Sequence, residues 1–308
     1  MDNKFSGLMA APFTPFTRNQ ELALDIIPRY VNKLVTDGVK GVFICGSTGE
    51  GPNMTSEQRM ATAAAFKEAA GKNLKVFVHV GHSSIAEAQK LAEHAVDIGA
   101  DAISSVAAFY FKPNAEEHLV SCLAEIAKAA PSLPFYYYHI PHLTKVHLDM
   151  VKLLGIAEEQ IPNLRGLKYT ATTLYEYQRC LDYGDARYDI LYGFDEMILS
   201  ALAVGAEGLV GSTYNFAAPL YISLINDFQN GNLSAAREKM LYITKVIAVI
   251  LKFPAISAQK AIMKRFDLDL GPSLLPLATL DPRQESLLYR ELDDLQFFEV
   301  LAETISAI

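Results

Sequence analysis

A single (β/α)8 (TIM) barrel of the α/β class, carrying a C-terminal helical extension of about three helices, is the fold this sequence predicts. Three observations predict it. Short apolar runs alternate eight times with longer segments whose apolar residues recur at helical spacing. The runs are apolar on both faces, as strands must be when a parallel sheet is covered by helices. A joint also recurs: Asp37-Gly38-Val39, Ile98-Gly99-Ala100 and Val204-Gly205-Ala206 each put a glycine where a helix ends left-handed and a turn enters a strand. Eight such units close a barrel; an open doubly wound sheet is the alternative.

In chain order, residues 7–13 read as the first strand and 22–36 as the first helix, with Pro28 a kink or early break. Residues 39–45 form the second strand. Thr55, three residues before Gln58, gives the capping-box signature of a helix running to about Ala70. The third strand is 75–80, the third helix 84–98 and the fourth strand 101–106, after which Asn114 caps a helix ending near Ala130. Strands five to eight fall at 134–139, 164–169, 190–192 and 208–211. Helices lie near 147–154, 173–181, 196–204 and 219–228. Beyond Asn232 the alternation stops, and helical patterns follow at 234–251, 256–266 and 284–307. No Gly/Ser/Pro-rich linker precedes them, so residues 1–231 read as a catalytic barrel and 232–308 as an extension packed on it.

The 308 residues, 51% hydrophobic and 20% charged, are of ordinary globular composition. A net charge of −8 and a pI near 5.4 argue against nucleic acid or an anionic membrane as partner, since both need a basic face. The N-terminus has no signal-peptide core, and the most apolar later stretch, 240–253, is broken by Lys245 and Lys252. A soluble, cytoplasmic protein is expected. Cys45, Cys122 and Cys180 are odd in number, far apart and without metal spacing, so reduced thiols are expected. The sequons Asn53-Met54-Thr55 and Asn232-Leu233-Ser234 are then incidental.

In a barrel of this kind chemistry sits at the carboxyl ends of the strands, where polar residues are worth collecting. Lys168 ends the apolar run that starts at Leu164. An apolar wall disfavours an ammonium, so an amine there can be neutral near pH 7 and attack a carbonyl; a lysine snorkelling into solvent is the ordinary alternative. After strand two, Gly46-Ser47-Thr48-Gly49-Glu50-Gly51 offers hydroxyls, free turn N–H groups and the positive end of a following helix. It has neither the Gly-Lys-Ser/Thr of a nucleotide phosphate loop nor dinucleotide spacing, so a carboxylate or lone phosphate fits it better than a nucleotide. By the period of two, Tyr136 and Tyr138 share one face of strand five and Tyr137 takes the other. Gly193-Phe194-Asp195-Glu196 follows strand seven and Gly211-Ser212-Thr213-Tyr214-Asn215 follows strand eight; the paired carboxylates could cap a helix or bind a polyol.

These motifs, with Tyr138-His139-Ile140-Pro141 and Gly166-Leu167-Lys168-Tyr169-Thr170, resemble in order those of the N-acetylneuraminate lyase family of pyruvate-dependent class I aldolases, over essentially the whole chain. The resemblance implies that Lys168 forms an imine with the keto carbon and Tyr138 relays protons. It implies that Ser47 and Thr48 hold the pyruvate carboxylate, Thr48 also lying near the tyrosine hydroxyl. Thr170, Gly193, Asp195, Glu196 and Ser212 would contact the N-acetylated sugar. Tyr110 would reach a neighbouring active site across the interface of a homotetramer. The substrates implied are sialic acid, pyruvate and N-acetylmannosamine, and no cofactor is implied because the imine is itself the electron sink.

Two departures bear on substrate. Relatives that make dihydrodipicolinate carry an arginine shortly after the Tyr-x-x-Pro, whereas here Pro141 is followed by His142-Leu143-Thr144. The usual asparagine after the tyrosine is His139. An aldolase for another 2-keto-3-deoxy sugar acid would also suit Asp195 and Glu196. A metal-dependent aldolase would need clustered ligands, for which His79-x-x-His82 and His139-x-x-His142 are the close pairs, with no strong carboxylate partner beside them, so no metal is expected. A barrel that only binds a keto acid is the remaining alternative.

Overall fold

Each barrel strand begins where an apolar, β-branched or aromatic run leaves a turn. The computed structural model, which describes residues 4–307, has β1 Gly7–Ala10, β2 Gly41–Ile44, β3 Lys75–His79, β4 Ala102–Val106, β5 Phe135–His139, β6 Leu164–Tyr169, β7 Asp189–Tyr192 and β8 Gly208–Gly211. The outermost residues of the expected division, 1–3 and 308, lie outside the described residues. All strands pair parallel to their chain neighbours, and β8 closes on β1 with Gly7 opposite Gly208 and Ala10 opposite Gly211. The closed barrel replaces the open-sheet alternative. Gly38, Gly99 and Gly205 have φ of +85°, +69° and +102°, as the recurrent joint requires.

The helices among the described residues are α1 Ile27–Thr36, α2 Ser56–Ala70, α3 Ile85–Asp97, α4 Glu116–Ala127, α5 Pro141–Thr144, α6 Met150–Gln160, α7 Leu174–Ala186, α8 Ile198–Ala203, α9 Tyr214–Gln229, α10 Leu233–Ile250, α11 Ala255–Lys264, α12 Pro282–Asp294 and α13 Phe297–Ala307. The capping box of Thr55 and Gln58 forms at α2. Pro28 does not kink a helix: it sits in the first turn of α1, where its missing N–H costs nothing, after a short 3-10 turn at Leu24–Ile26. Asn114 does not cap α4; Ala115 holds that position, and the Asn114 amide oxygen lies 3.0 Å from His118 Nδ1. His147 precedes α6, which Asp149 caps instead. The expected helix over 284–307 is two, because Gln296 turns left-handed (φ +53°) between α12 and α13, so four helices rather than three follow Asn232 among the described residues. Among the described residues no single helix is long and apolar enough to cross a membrane, and α10 bends 108° into α11.

Two apolar layers result. Inside the barrel, Met9, Phe43, Phe77, Ala102, Tyr136, Tyr138, Leu191 and Val210 fill the lumen. Outside it, Tyr137, Leu167, Tyr169 and Ile190 pack under the helices. The extension joins this outer layer through buried Ile243, Val246 and Ile250 of α10, each contributing about 1.5–3 kcal/mol before ordering costs. One polar contact locks it further. Lys260 of α11 and Glu50, after β2, are 2% and 1% exposed, and their Nζ and Oε1 atoms lie 2.6 Å apart. Glu50 also accepts the Leu274 N–H at 2.6 Å, and Lys260 donates to the Pro272 carbonyl.

Removing one member of so buried a pair strands the other. Lys260→Met is expected to destabilise the fold by roughly 3–5 kcal/mol, read as a lower urea midpoint, and the double variant with Glu50→Gln should recover much of that loss.

Candidate active site

The β5–β6 register places Tyr138 opposite Lys168. Period two then turns both inward with Tyr136, while Tyr137 faces the helices, as the sequence pattern requires. Lys168 is 4% exposed, and its Nζ lies 3.9 Å from the Phe43 ring centroid and 4.1 Å from that of Tyr138. Burial against these rings pushes the amine down to about 7, although the Asp195 carboxylate pulls the other way. The snorkelling alternative is thereby excluded.

Tyr138 is equally buried, and burial lifts its phenol to about 12 despite the hydroxyls of Ser47 and Thr170, which favour the phenolate. The hydroxyl of the β2 loop that engages the phenol is thus that of Ser47. Thr170 Oγ1 is buried and makes no well-formed hydrogen bond among the described residues. The loop itself differs from expectation in one respect. No α-helix starts there: a 3-10 turn at Gly51–Asn53 intervenes before α2. Cys45 and Glu50, both at φ +57°, fold the loop into a tight turn, fastened by the Thr14 hydroxyl on the Gly49 carbonyl at 2.6 Å. The side chains of Ser47 and Thr48, rather than a helix dipole, serve the cavity, and Glu50 turns away to Lys260.

Ser47, Thr48, Tyr138, Lys168, Thr170, Gly193, Asp195, Glu196 and Ser212 all line one cavity of about 340 Å³ at the carboxyl end of the barrel. Asp195 does not cap a helix. Its Oδ2 accepts from the Thr213 N–H and hydroxyl at 2.8 and 2.6 Å, and burial lifts its carboxyl to about 6. Two glycines keep the polar groups reachable: a Cβ on Gly193 would stand 2.0 Å from Thr170 Oγ1, and one on Gly211 2.1 Å from Asp195 Oδ1. Asn215 is structural, tying the β8 loop to the Ala11 carbonyl at 2.7 Å and accepting from the Tyr30 hydroxyl. Tyr110 is not brought to the cavity within this chain; it is 78% exposed in the β4 loop beside Phe111.

The histidine pairs do not converge on a common point. His79 is buried at the edge of the Tyr138 ring, with Nε2 accepting from the Val106 N–H and Nδ1 beside the Cys45 carbonyl, and burial holds it neutral. His82 is exposed, and His139 packs on Tyr169 of the outer layer. A larger groove of about 550 Å³ lies at the opposite end, around Lys4, Arg179, Asp189 and Glu207. Lys168 and Tyr138 are not among its lining residues.

The family whose pattern matches this chain, over residues 4–294, is the dihydrodipicolinate synthetase family. The chain belongs to that family. Among relatives of the dihydrodipicolinate synthetase family, the rat N-acetylneuraminate lyase is 40% identical over 279 residues, 89% of this chain and 87% of the relative. The solved N-acetylneuraminate lyase (sialic acid aldolase) of Aliivibrio salmonicida superposes with a TM-score of 0.93 at 39% identity, covering 96% of this chain and 98% of that one. For the Proteus mirabilis N-acetylneuraminate lyase the values are 0.94, 36%, 96% and 100%.

What the motifs of this dihydrodipicolinate synthetase family member do not reveal is the cavity's far wall. Ile247 and Ile250 of α10, Leu251, and Ala255, Ile256 and Gln259 of α11 line it, with His142 and Leu143 from α5. Helical periodicity marks 234–251 and 256–266 as amphipathic but does not say which apolar residues meet a cavity rather than the barrel.

An amine attacks a carbonyl only in its neutral form, so if Lys168 is the nucleophile, borohydride trapping with pyruvate should accelerate as pH rises through about 7 and then level off. Asp195→Asn removes the charge that favours the ammonium, so the inflection should move to lower pH. An unmoved inflection would contradict this coupling.

Proposed function

We propose that this chain reversibly cleaves N-acetylneuraminate into pyruvate and N-acetylmannosamine, as a class I carbon–carbon lyase working through an imine on Lys168. The observation that carries the reading is the Lys168 amine, held near 7 in a cavity lined also by Tyr138, Ser47 and Thr48. The lyases at 36–40% identity support the substrate. So does the absence of an arginine in Pro141-His142-Leu143-Thr144.

Ser47 and Thr48 hold the keto-acid carboxylate, which sets carbon 2 against the amine and makes the encounter effectively intramolecular. The neutral amine adds to the carbonyl, and the adduct takes up one proton from the medium as it loses water, leaving a protonated imine; that proton returns to the medium when the imine is hydrolysed. The bond between carbons 3 and 4 then breaks. Its electron pair moves toward the imine nitrogen as an enamine, while the hydroxyl on carbon 4 gives up its proton and becomes the aldehyde of N-acetylmannosamine. A phenol lifted to about 12 is a poor stored base, so Tyr138 accepts this proton as it passes its own to the substrate carboxylate. Protonation of the enamine at carbon 3 and hydrolysis of the imine release pyruvate and restore the amine.

Thr170, Gly193, Asp195, Glu196 and Ser212 bind the sugar in this reading. Their carboxylates and hydroxyls suit a long polyhydroxylated chain better than a short keto acid. The exposed aromatic run Phe109-Tyr110-Phe111 supports a subunit contact, and a cytoplasmic homotetramer in which Tyr110 completes a neighbouring site is part of the proposal. The division at residues 231 and 232 is likewise proposed as one of sequence pattern, since both parts wall the same cavity.

Product analysis with N-acetylneuraminate beside 2-keto-3-deoxygluconate and aspartate semialdehyde tests the substrate; pyruvate and N-acetylmannosamine should form from the first at the highest kcat/KM. Lys168→Ala should abolish turnover and borohydride trapping. Tyr138→Phe should lower kcat about 10²–10⁴-fold at an unchanged Tm. Turnover retained without Lys168 refutes the mechanism.

A further inference from the structure

On the part of the far wall that α10 and α11 supply, every lining residue but one is apolar. Gln259 of α11 stands with Ile247, Ile250, Leu251 and Ile256 on this wall; it is 6% exposed, and its Oε1 is buried with no hydrogen-bond partner among the described residues. A polar atom left unpaired in a buried place calls for an explanation, and a cavity that receives a ligand supplies one. The position is also rigid. The next residue, Lys260, is clamped to Glu50, which belongs to the same loop as Ser47 and Thr48, so α11 is held in register with the loop that faces the keto acid.

The chemistry of the orphan atom selects its partner. An amide oxygen accepts and cannot donate, so it is satisfied by an O–H or N–H. The keto-acid half of the substrate offers a carboxylate and a carbonyl, which are acceptors themselves. The sugar half offers hydroxyls and an acetamido N–H. Resting on the function proposed above, we propose that Gln259 is a specificity-determining residue that accepts a hydrogen bond from a hydroxyl or the acetamido N–H of the N-acetylmannosamine half, from the wall opposite the strand-end motifs.

The synthetic direction separates the two halves as independent substrates. Gln259→Met, close in volume but without the amide, should raise KM for N-acetylmannosamine about three- to tenfold, the worth of one neutral hydrogen bond. Both kcat and the pyruvate concentration giving half-maximal borohydride trapping should stay within about twofold. Its Tm should equal or exceed that of the parent, since an unpaired polar atom has gone. Gln259→Asn, whose shorter amide withdraws from the cavity while keeping its polarity, serves as a second variant and should raise the same KM. An unchanged KM for N-acetylmannosamine in both variants, or an equal rise in the pyruvate requirement, would overturn the assignment. Failure of the parent enzyme to act on N-acetylneuraminate, with pyruvate trapping intact, would instead overturn the proposed substrate, so the two failures are told apart.

Discussion

The structure depends on one amine being denied water. Lys168 stands next to last in β6, between Leu167 and Tyr169, which are buried in the outer layer, and the rings of Phe43 and Tyr138 occupy the space its hydration shell would need. A charge removed from water is costly, and the amine responds by releasing its proton more readily. The same burial that makes the barrel lumen a core therefore leaves one of its residues an amine that is readily neutral near pH 7. Stability and chemistry draw on the same desolvation, which is why the site sits at the strand ends, where the lumen is still dry but a ligand can enter.

Around that amine the carboxylates and hydroxyls are arranged by the backbone rather than by side-chain chance. Parallel pairing of β5 with β6 fixes Tyr138 beside Lys168, and the tight turn after β2 brings Ser47 within reach of the phenol. Thr213 holds Asp195 with two hydrogen bonds, and the absence of side chains at Gly193 and Gly211 leaves room for Thr170 and Asp195. The C-terminal helices complete the enclosure. The Glu50–Lys260 pair connects the β2 loop to α11 across a long sequence separation, so the extension is part of the site and not an appendage to it.

Where the sequence misled, the competing physics can be named. Pro28 lies in a position that is a break in a helix interior but harmless in a first turn, and spacing alone does not place the turn. Asn114 has the chemistry of a cap, but its amide meets His118 one turn on, and the helix starts two residues later. The last helical pattern runs on in register through Gln296, where no glycine or proline announces the left-handed residue that splits it. Glu50 reads as part of an anion seat by its neighbours; its partner, Lys260, is legible only once the chain is folded.

By itself the sequence determined the eight alternating units, the inward face of β5, the lysine at the end of β6 and the order of the polar strand-end motifs, because these follow from local periodicity and nearest neighbours along the chain. The tertiary structure alone decided that the amine is buried over two rings, that Asp195 belongs to Thr213, and that Ile247, Ile256 and Gln259 face the cavity. Each of these depends on residues far apart in sequence meeting across the barrel mouth. Desolvation, which sets the charge state of Lys168, is a property of that meeting and of no single segment.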